Sequence, residues 1–288
     1  MTSGNQVSPN TQTQAPAHFQ ESPTDSILRF EHVTIRFDEE TALDDVSFNV
    51  LRGQTRIILG AAGSGKSVLL KAATGLVPVA SGNVFLFDRQ TTNLPEDEMY
   101  AVRSQVGMAF QESALFDSMT IAQNVAYPLL NQPSIKSKPD EARAKVKEAL
   151  NFVELGQTLD KYPSELSGGM RRRAAIARAV VTKPPLLLYD SPTAGLDPIT
   201  AHTIMQLIIK ERDVDATTAL VVTHRYQDGS LVANFRYNSQ NESLEPSRQS
   251  DSTRFMVMRE GKLIFEGDQD QLEASKDPYI GKFVKHAG

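Results

Sequence analysis

Cysteine and tryptophan are both absent from the 288 residues. Without cysteine there is no disulfide framework, no thiolate zinc site and no nucleophilic thiol. Long apolar runs are missing too. No stretch approaches the roughly 18 apolar residues of a membrane span, so any membrane role requires a partner. The N-terminus has no basic segment followed by an apolar one, so no secretory signal is expected and a cytoplasmic location is. Nor is there an excess of positive charge. Thirty Lys and Arg face 35 Asp and Glu, a formal charge of −5. That balance argues against a dedicated nucleic-acid binder. What remains, 40% hydrophobic and 23% charged residues, excludes wholesale disorder and suits a folded globular chain.

The order of the chain is legible in outline. Met1 to Ser26 is dominated by Ser, Thr, Asn, Gln and Pro and reads as a disordered tail. Ile27 to Phe37 reads as a first strand and Val46 to Val50 as a second. Arg56-Ile57-Ile58-Leu59 is a short buried strand entering a glycine-rich turn. Further strands are expected at Val84 to Phe87, Val106 to Phe110, Leu186 to Tyr189 and Ala219 to Val222. Pro139 suits a first helical position, and Ala142, Val146, Ala149, Leu150 and Val153 follow at helical spacing. Residues 115–165 therefore read as a helical insertion. Short buried strands alternating with helices predict a mostly parallel α/β sheet. The polar stretch Asn234 to Thr253, with only Phe235, Tyr237 and Leu244 apolar, reads as a flexible surface loop or insertion. Phe255 to Met258 and Leu263 to Phe265 read as a closing hairpin around Glu260-Gly261.

Gly60-Ala61-Ala62-Gly63-Ser64-Gly65-Lys66-Ser67 fits GxxxxGK[ST]. Gly60, Gly63 and Gly65 let the backbone wrap phosphates, with Ser64 contributing to the same cradle. Lys66 reaches the β- and γ-phosphates, and the Ser67 hydroxyl holds Mg²⁺. A helix beginning at Lys66 adds its positive end. An ordinary glycine-rich turn is the competing reading, disfavoured by the strand before and the helix after. Asp190 ends an apolar strand at the edge where open α/β sheets bind ligands, and is expected as the second Mg²⁺ ligand. Taken singly, an Asp after a strand is most often a turn residue.

Leu166-Ser167-Gly168-Gly169-Met170 closely resembles the LSGGQ signature of ATP-binding-cassette (ABC) nucleotide-binding subunits. The resemblance runs from about residue 27 to 285 with its motifs in the family's order. It implies a P-loop NTPase core of mostly parallel sheet, with an antiparallel β subdomain and an inserted helical subdomain. It makes Gln111 the Q-loop glutamine and a Mg²⁺ ligand, Ala194-Gly195-Leu196-Asp197 the D-loop, and His224 the switch histidine. Phe37 takes the place of an aromatic stacked on adenine, although a core-strand role suits it as well. The resemblance further implies that Ser167, Gly168 and Gly169 face the γ-phosphate held by a second copy, so that a head-to-tail homodimer encloses two ATP molecules. Permease subunits would then be separate chains. The Arg171-Arg172-Arg173 run reads as a solvated helix face rather than a nucleic-acid patch. Phe110 to Thr120, LSGGMRRR, DSPTAGLDPI and Asp277-Pro278-Tyr279 are similar to the Mla/Mce-type lipid transporters. Those systems imply a phospholipid-like cargo, a small regulatory subunit and a lipid-binding protein as partners.

Two departures stand out. Where the family usually carries Glu after the Asp190 position, as base or water-polarising group, this chain has Ser191. A hydroxyl cannot take up a proton at neutral pH, and general-base catalysis is typically worth about 10²–10⁴-fold. Slow turnover is expected, with His224 and Gln111 positioning water. A non-hydrolytic, nucleotide-gated regulatory subunit is the alternative that Ser191 supports. A soluble ABC protein outside transport is another, disfavoured by the single signature and the lack of a long heptad run. The second departure is 234–253, roughly 20 residues beyond the family's usual length there.

Overall fold

The computed structural model describes residues 25–132, 135, 137–248 and 252–284. Most of the polar tail therefore lies outside the described residues. Its expected end is corrected at Ser26, which already belongs to β1 (Ser26–Phe37). Ser26 is buried and its hydroxyl donates to Asn49 at 2.5 Å, a partner that only the strand pairing supplies.

β1 pairs antiparallel with β2 (Glu40–Leu51), and Phe37 faces Glu40 at their turn. β3 (Thr55–Leu59) then enters the glycine-rich loop and α1 (Lys66–Ala73). β4 (Ser81–Leu86) and β5 (Arg89–Gln90) complete a four-stranded antiparallel sheet in the order β2-β1-β4-β5. The chain continues through α2 (Glu96–Arg103), β6 (Val106–Ala109), α3 (Ile121–Asn131), α4 (Pro139–Phe152), a 3-10 turn at Pro163–Glu165 and α5 (Gly168–Val180). β7 (Leu186–Asp190), α6 (Pro198–Asp215), β8 (Thr218–Thr223) and α7 (Tyr226–Asn234) follow. Then come β9 (Phe235–Asn238), β10 (Ser243–Pro246), β11 (Thr253–Arg259), β12 (Lys262–Gly267), α8 (Gln269–Glu273) and α9 (Pro278–Val284).

The second, six-stranded sheet runs β12-β11-β3-β8-β7-β6. Every pair in it is parallel except β11 with β12. The α/β fold expected from alternating short strands and helices is thus present. Both faces of this sheet are covered, which is why its strands are continuous apolar runs. Ile57, Leu59, Leu187, Tyr189 and Val221 enter one core with α5 and α6. Ile58, Leu186, Leu188, Leu220 and Val222 enter the other with α1 and the antiparallel sheet. Helix starts follow local chemistry. Thr120 and Gln123 form a reciprocal capping box for α3, and Pro139 opens α4 with Asp140 and Glu141 in its first turn.

The segment 234–253 is not a loop throughout. β9 and β10 pair antiparallel, Phe235 with Pro246 and Asn238 with Ser243. Arg212 of α6 donates to Phe235 O at 2.7 Å and Asp213 accepts from Tyr237 N–H at 2.6 Å. Phe235, Tyr237 and Leu244 pack on the main core. The polar composition hid this hairpin because its turn bonds to itself, Asn238 Oδ1 accepting Gln240 N–H at 2.8 Å and Asn241 Oδ1 accepting Ser243 N–H at 3.2 Å. Positions 249–251 lie outside the described residues. Among the described residues no helix is long and apolar enough to cross a membrane.

Candidate functional site

Four parallel strands discharge their chemistry at one edge. Leu59 is in register with Thr223, Asp190 with Val222, and Ala109 with Tyr189. Gly60, His224, Asp190 with Ser191, and Phe110-Gln111 therefore leave the sheet side by side, where open α/β sheets hold ligands.

The glycine-rich loop is held open by conformation and contact. Gly63 and Gly65 have φ of 76° and 97°, in the left-handed region that side chains resist. A Cβ on Gly65 would also lie 2.6 Å from Ala42 O. Ser64 is buried. Gly65 stands at the N-cap of α1, and no side chain caps that helix. Among the described residues no acceptor takes the N–H groups of Gly63, Gly65, Lys66 or Ser67. Unclaimed N–H groups at a helix start make an anion site.

Lys66 is buried, and its ammonium donates to Gly60 O at 2.9 Å, Ala61 O at 2.7 Å and Ser64 Oγ at 3.2 Å. Burial pushes its pKa down, and the Asp190 charge partly opposes that. Ser67 Oγ donates to Asp190 Oδ1 at 3.1 Å, and Ser191 Oγ to the same oxygen at 3.3 Å. Two oxygens this close, beside an anion cradle, suit a small hard cation that keeps phosphate and water as its other ligands. Ser67 and Asp190 thus fit Mg²⁺. Gln111 is exposed, with no hydrogen bond to either among the described residues. Ser191 has φ of 49° and its N–H donates to Val222 O at 2.9 Å, so its short side chain is fixed at the strand end. His224 is exposed next to buried Thr223.

The signature lies apart from this edge. Ser167 Oγ accepts from Met170 N–H at 3.3 Å and caps α5, leaving Ser167 and Gly168 exposed. Gly169 abuts α6, where a Cβ would lie 2.5 Å from Thr200 Cγ2. Asp197 is turned to its own helix. It accepts from Ile199 N–H at 3.1 Å, Thr200 N–H at 3.0 Å and Thr200 Oγ1 at 2.6 Å, and the Thr200 hydroxyl above all holds its pKa down. Within one chain its carboxylate is a helix cap. Phe37 is 44% exposed at the β1–β2 turn, so it is not a core-strand side chain.

The arginine run is corrected. Arg172 is only 8% exposed and donates to Phe110 O at 3.4 Å and Ala194 O at 3.2 Å. Arg171 and Arg173 reach Leu166 O at 2.5 Å and Val153 O at 3.0 Å. Backbone carbonyls distant in sequence draw these guanidinia inward, which charge counting cannot foresee. Sequence reasoning also missed Asp228. Its Oδ2 accepts Thr193 Oγ1 at 2.6 Å and Thr223 Oγ1 at 2.8 Å, tying the loop after β7 and the end of β8 to the first turn of α7. A buried Asp five residues beyond a strand-end Thr was its one visible signal.

With this geometry in view, comparison with known proteins is specific. A family model described as "ABC transporter" matches residues 43–194. The methionine import ATP-binding protein MetN of Bifidobacterium longum is 33% identical over 92% of this chain and 62% of its own length. A probable ribonucleotide transport ATP-binding protein of Mycobacterium leprae is 37% identical over 91% of this chain and 70% of its own. The chain thus spans less than two thirds of the first relative. A dimeric ATP-binding cassette solved in a post-hydrolysis state with ADP and Pi superposes with a TM-score of 0.71. It is 30% identical and covers 84% of this chain and 98% of that one.

Proposed function

Because the chain belongs to the ABC transporter family, we propose that it is the ATP-binding and ATP-hydrolysing subunit of a transporter whose permease is a separate membrane chain. The observation that carries this reading is the meeting of Lys66, Ser67 and Asp190 beneath the uncapped start of α1. ATP phosphates displace Gly60 O and Ala61 O as acceptors for Lys66. The free N–H groups of Gly63, Gly65, Lys66 and Ser67 take the phosphate oxygens. Ser67 and Asp190 would hold Mg²⁺, which would supply charge neutralisation for the phosphates. Gln111 and His224, leaving β6 and β8 on either side of β7, orient the attacking water. Ser191 supplies no base, so turnover is slow.

Ser167, Gly168 and Gly169 are exposed or half-exposed at the start of α5, and Ile199 beside Asp197 is 81% exposed. These groups complete the site of a second copy, and Phe37 lies at its adenine side. We place the cassette domain at 26–288, its start moved from 27 by the pairing of Ser26 with Leu51, with its helical part at 115–165 and the hairpin insertion at 234–253. Leu76, Tyr100, Phe116, Tyr127 and Leu130 are 39–52% exposed. They share one side, because Arg103 of α2 bonds Thr74 O and Gly75 O, Tyr100 bonds Asn131 O of α3, and the Phe116 and Tyr127 rings meet at a tilt, 4.8 Å between centroids. That apolar strip receives the permease. On this reading the protein sits peripherally at the cytoplasmic face of the inner membrane, and its net charge of −5 supports no nucleic-acid partner.

The cargo is proposed as a phospholipid-like molecule, supported by the wording of residues 110–120 and 166–173. The two relatives carry the names of methionine and ribonucleotide transport. A small regulatory subunit and a lipid-binding protein complete the assembly. Co-purification from membranes, with mass spectrometry of bound lipids and an ATPase assay, tests the reading. A permease carrying phospholipid supports it. A cassette that pulls down no membrane chain favours the soluble ABC alternative. Nucleotide binding with zero turnover favours the regulatory alternative that Ser191 motivates.

A further inference from the structure

The C-terminal helix reaches the phosphate loop. Tyr279 of α9 places its hydroxyl between two backbone groups, accepting from Ala61 N–H at 3.0 Å and donating to Met258 O at 3.1 Å. Met258 O is the atom against which Gly60 packs, 2.7 Å from where a Cβ would stand. The other half of the loop is held from the same side, Gly261 N–H of the β11–β12 turn donating to Ser64 O at 3.2 Å. Tyr279 is itself fixed. Asp277 Oδ1 accepts its N–H at 2.7 Å, the Arg259 guanidinium lies 5.6 Å from its ring centre, and Phe283 meets it edge-on at 5.3 Å.

We propose that Tyr279 is a positioning residue of the phosphate loop, through which α9 holds the Ala61 peptide so that the loop's free N–H groups stay convergent. The proposal rests on the reading of Gly60 to Ser67 as the nucleotide site. Glycines with positive φ give that loop many alternative conformations, and ordering them at the moment of binding weakens affinity. A tie at Ala61 removes part of that cost without using any N–H that a phosphate needs. The hydroxyl serves both a donor and an acceptor of the backbone, a pairing that phenylalanine cannot provide.

The test is Tyr279→Phe, which keeps the ring and its packing and removes both hydrogen bonds. Binding of a fluorescent ATP analogue and steady-state ATPase kinetics are measured on the full chain, with amide hydrogen exchange at Ala61. A hydrogen bond of ordinary net strength corresponds to about a threefold to tenfold change. Kd and KM for ATP should rise by that factor, kcat should stay within twofold, and the Ala61 amide should exchange faster. Unchanged Kd and KM, or a fall in kcat alone, overturns the proposal. If Tyr279→Phe does not fold, Asp277→Ala, which frees the first turn of α9, is judged by the same criteria. A wild-type chain that binds no nucleotide instead refutes the reading of the site itself.

Discussion

Ser67 and Asp190 are 123 positions apart and share a hydrogen bond of 3.1 Å. One side chain lies in the first turn of a helix and the other closes a strand, so the pair proposed to hold Mg²⁺ is brought together across the β3-β8-β7 register. Asp190→Asn keeps the shape and removes the charge. It should lower Mg²⁺-dependent turnover by at least about 100-fold, while metal-free nucleotide binding through the loop N–H groups persists. Titrating Mg²⁺ in an ATPase assay alongside metal-free binding checks this. Equal loss of both would place Asp190 in the fold rather than at the metal.

Ser191→Glu supplies a carboxylate at a position where the backbone is already left-handed for serine. Turnover should rise by roughly 10²–10⁴-fold, the usual value of a general base, with KM for ATP little changed. Steady-state rates of the two proteins decide. A fast wild type that gains nothing from the glutamate would show that another group already does this work.

Glu211 sits 3% exposed on α6, facing Asp215, Lys183, Thr217 and Tyr189. Burial, aided by Asp215, pushes its carboxyl up to about 7, while the Thr217 hydroxyl and Lys183 pull against that. Tyr189 is raised too, by its own burial and then by the Glu211 charge. The folded chain therefore holds a proton that the unfolded chain has already released near pH 4.5. That contribution is full below the unfolded value and is lost as pH rises through about 7, by up to roughly 3 kcal/mol. Glu211→Gln should flatten the thermal-melting profile between pH 5 and 8 and overtake the wild type at the alkaline end. Parallel profiles would remove Glu211 as the cause.

Leu130 is 52% exposed on α3. Leu130→Glu should leave the isolated chain's stability and basal ATPase within twofold, since it breaks no packing. It should abolish permease co-purification if the apolar strip is the docking face. Undiminished co-purification would move that face elsewhere.

Local chemistry was the readable part. The glycine spacing of 60–67, the apolar runs ending at Leu59 and Asp190, and Pro139 opening a helix each need only neighbours in the chain. The β9–β10 hairpin did not show, because its three apolar residues are spread among polar ones and its anchor is Arg212, over 20 positions away. Arg172 was misjudged for the same reason. A guanidinium between two charged neighbours looks solvated until the loops at Phe110 and Ala194 close over it. Asp197 was read by its motif neighbours, whereas its carboxylate is engaged by its own helix.

The arginine contacts have one more consequence. Arg172, Arg178 and Arg212 each grip two backbone carbonyls distant in sequence, at Phe110 and Ala194, Ser113 and Ala114, and Val232 and Phe235. A carbonyl is identical in every residue type. These ties therefore do not depend on which side chain stands at a gripped position, whereas each depends on its arginine. Paired substitution patterns among relatives will be blind to these ties, and side-chain substitution at the gripped positions will leave the ties in place unless proline or glycine moves the backbone. Only replacing the arginine exposes the joint.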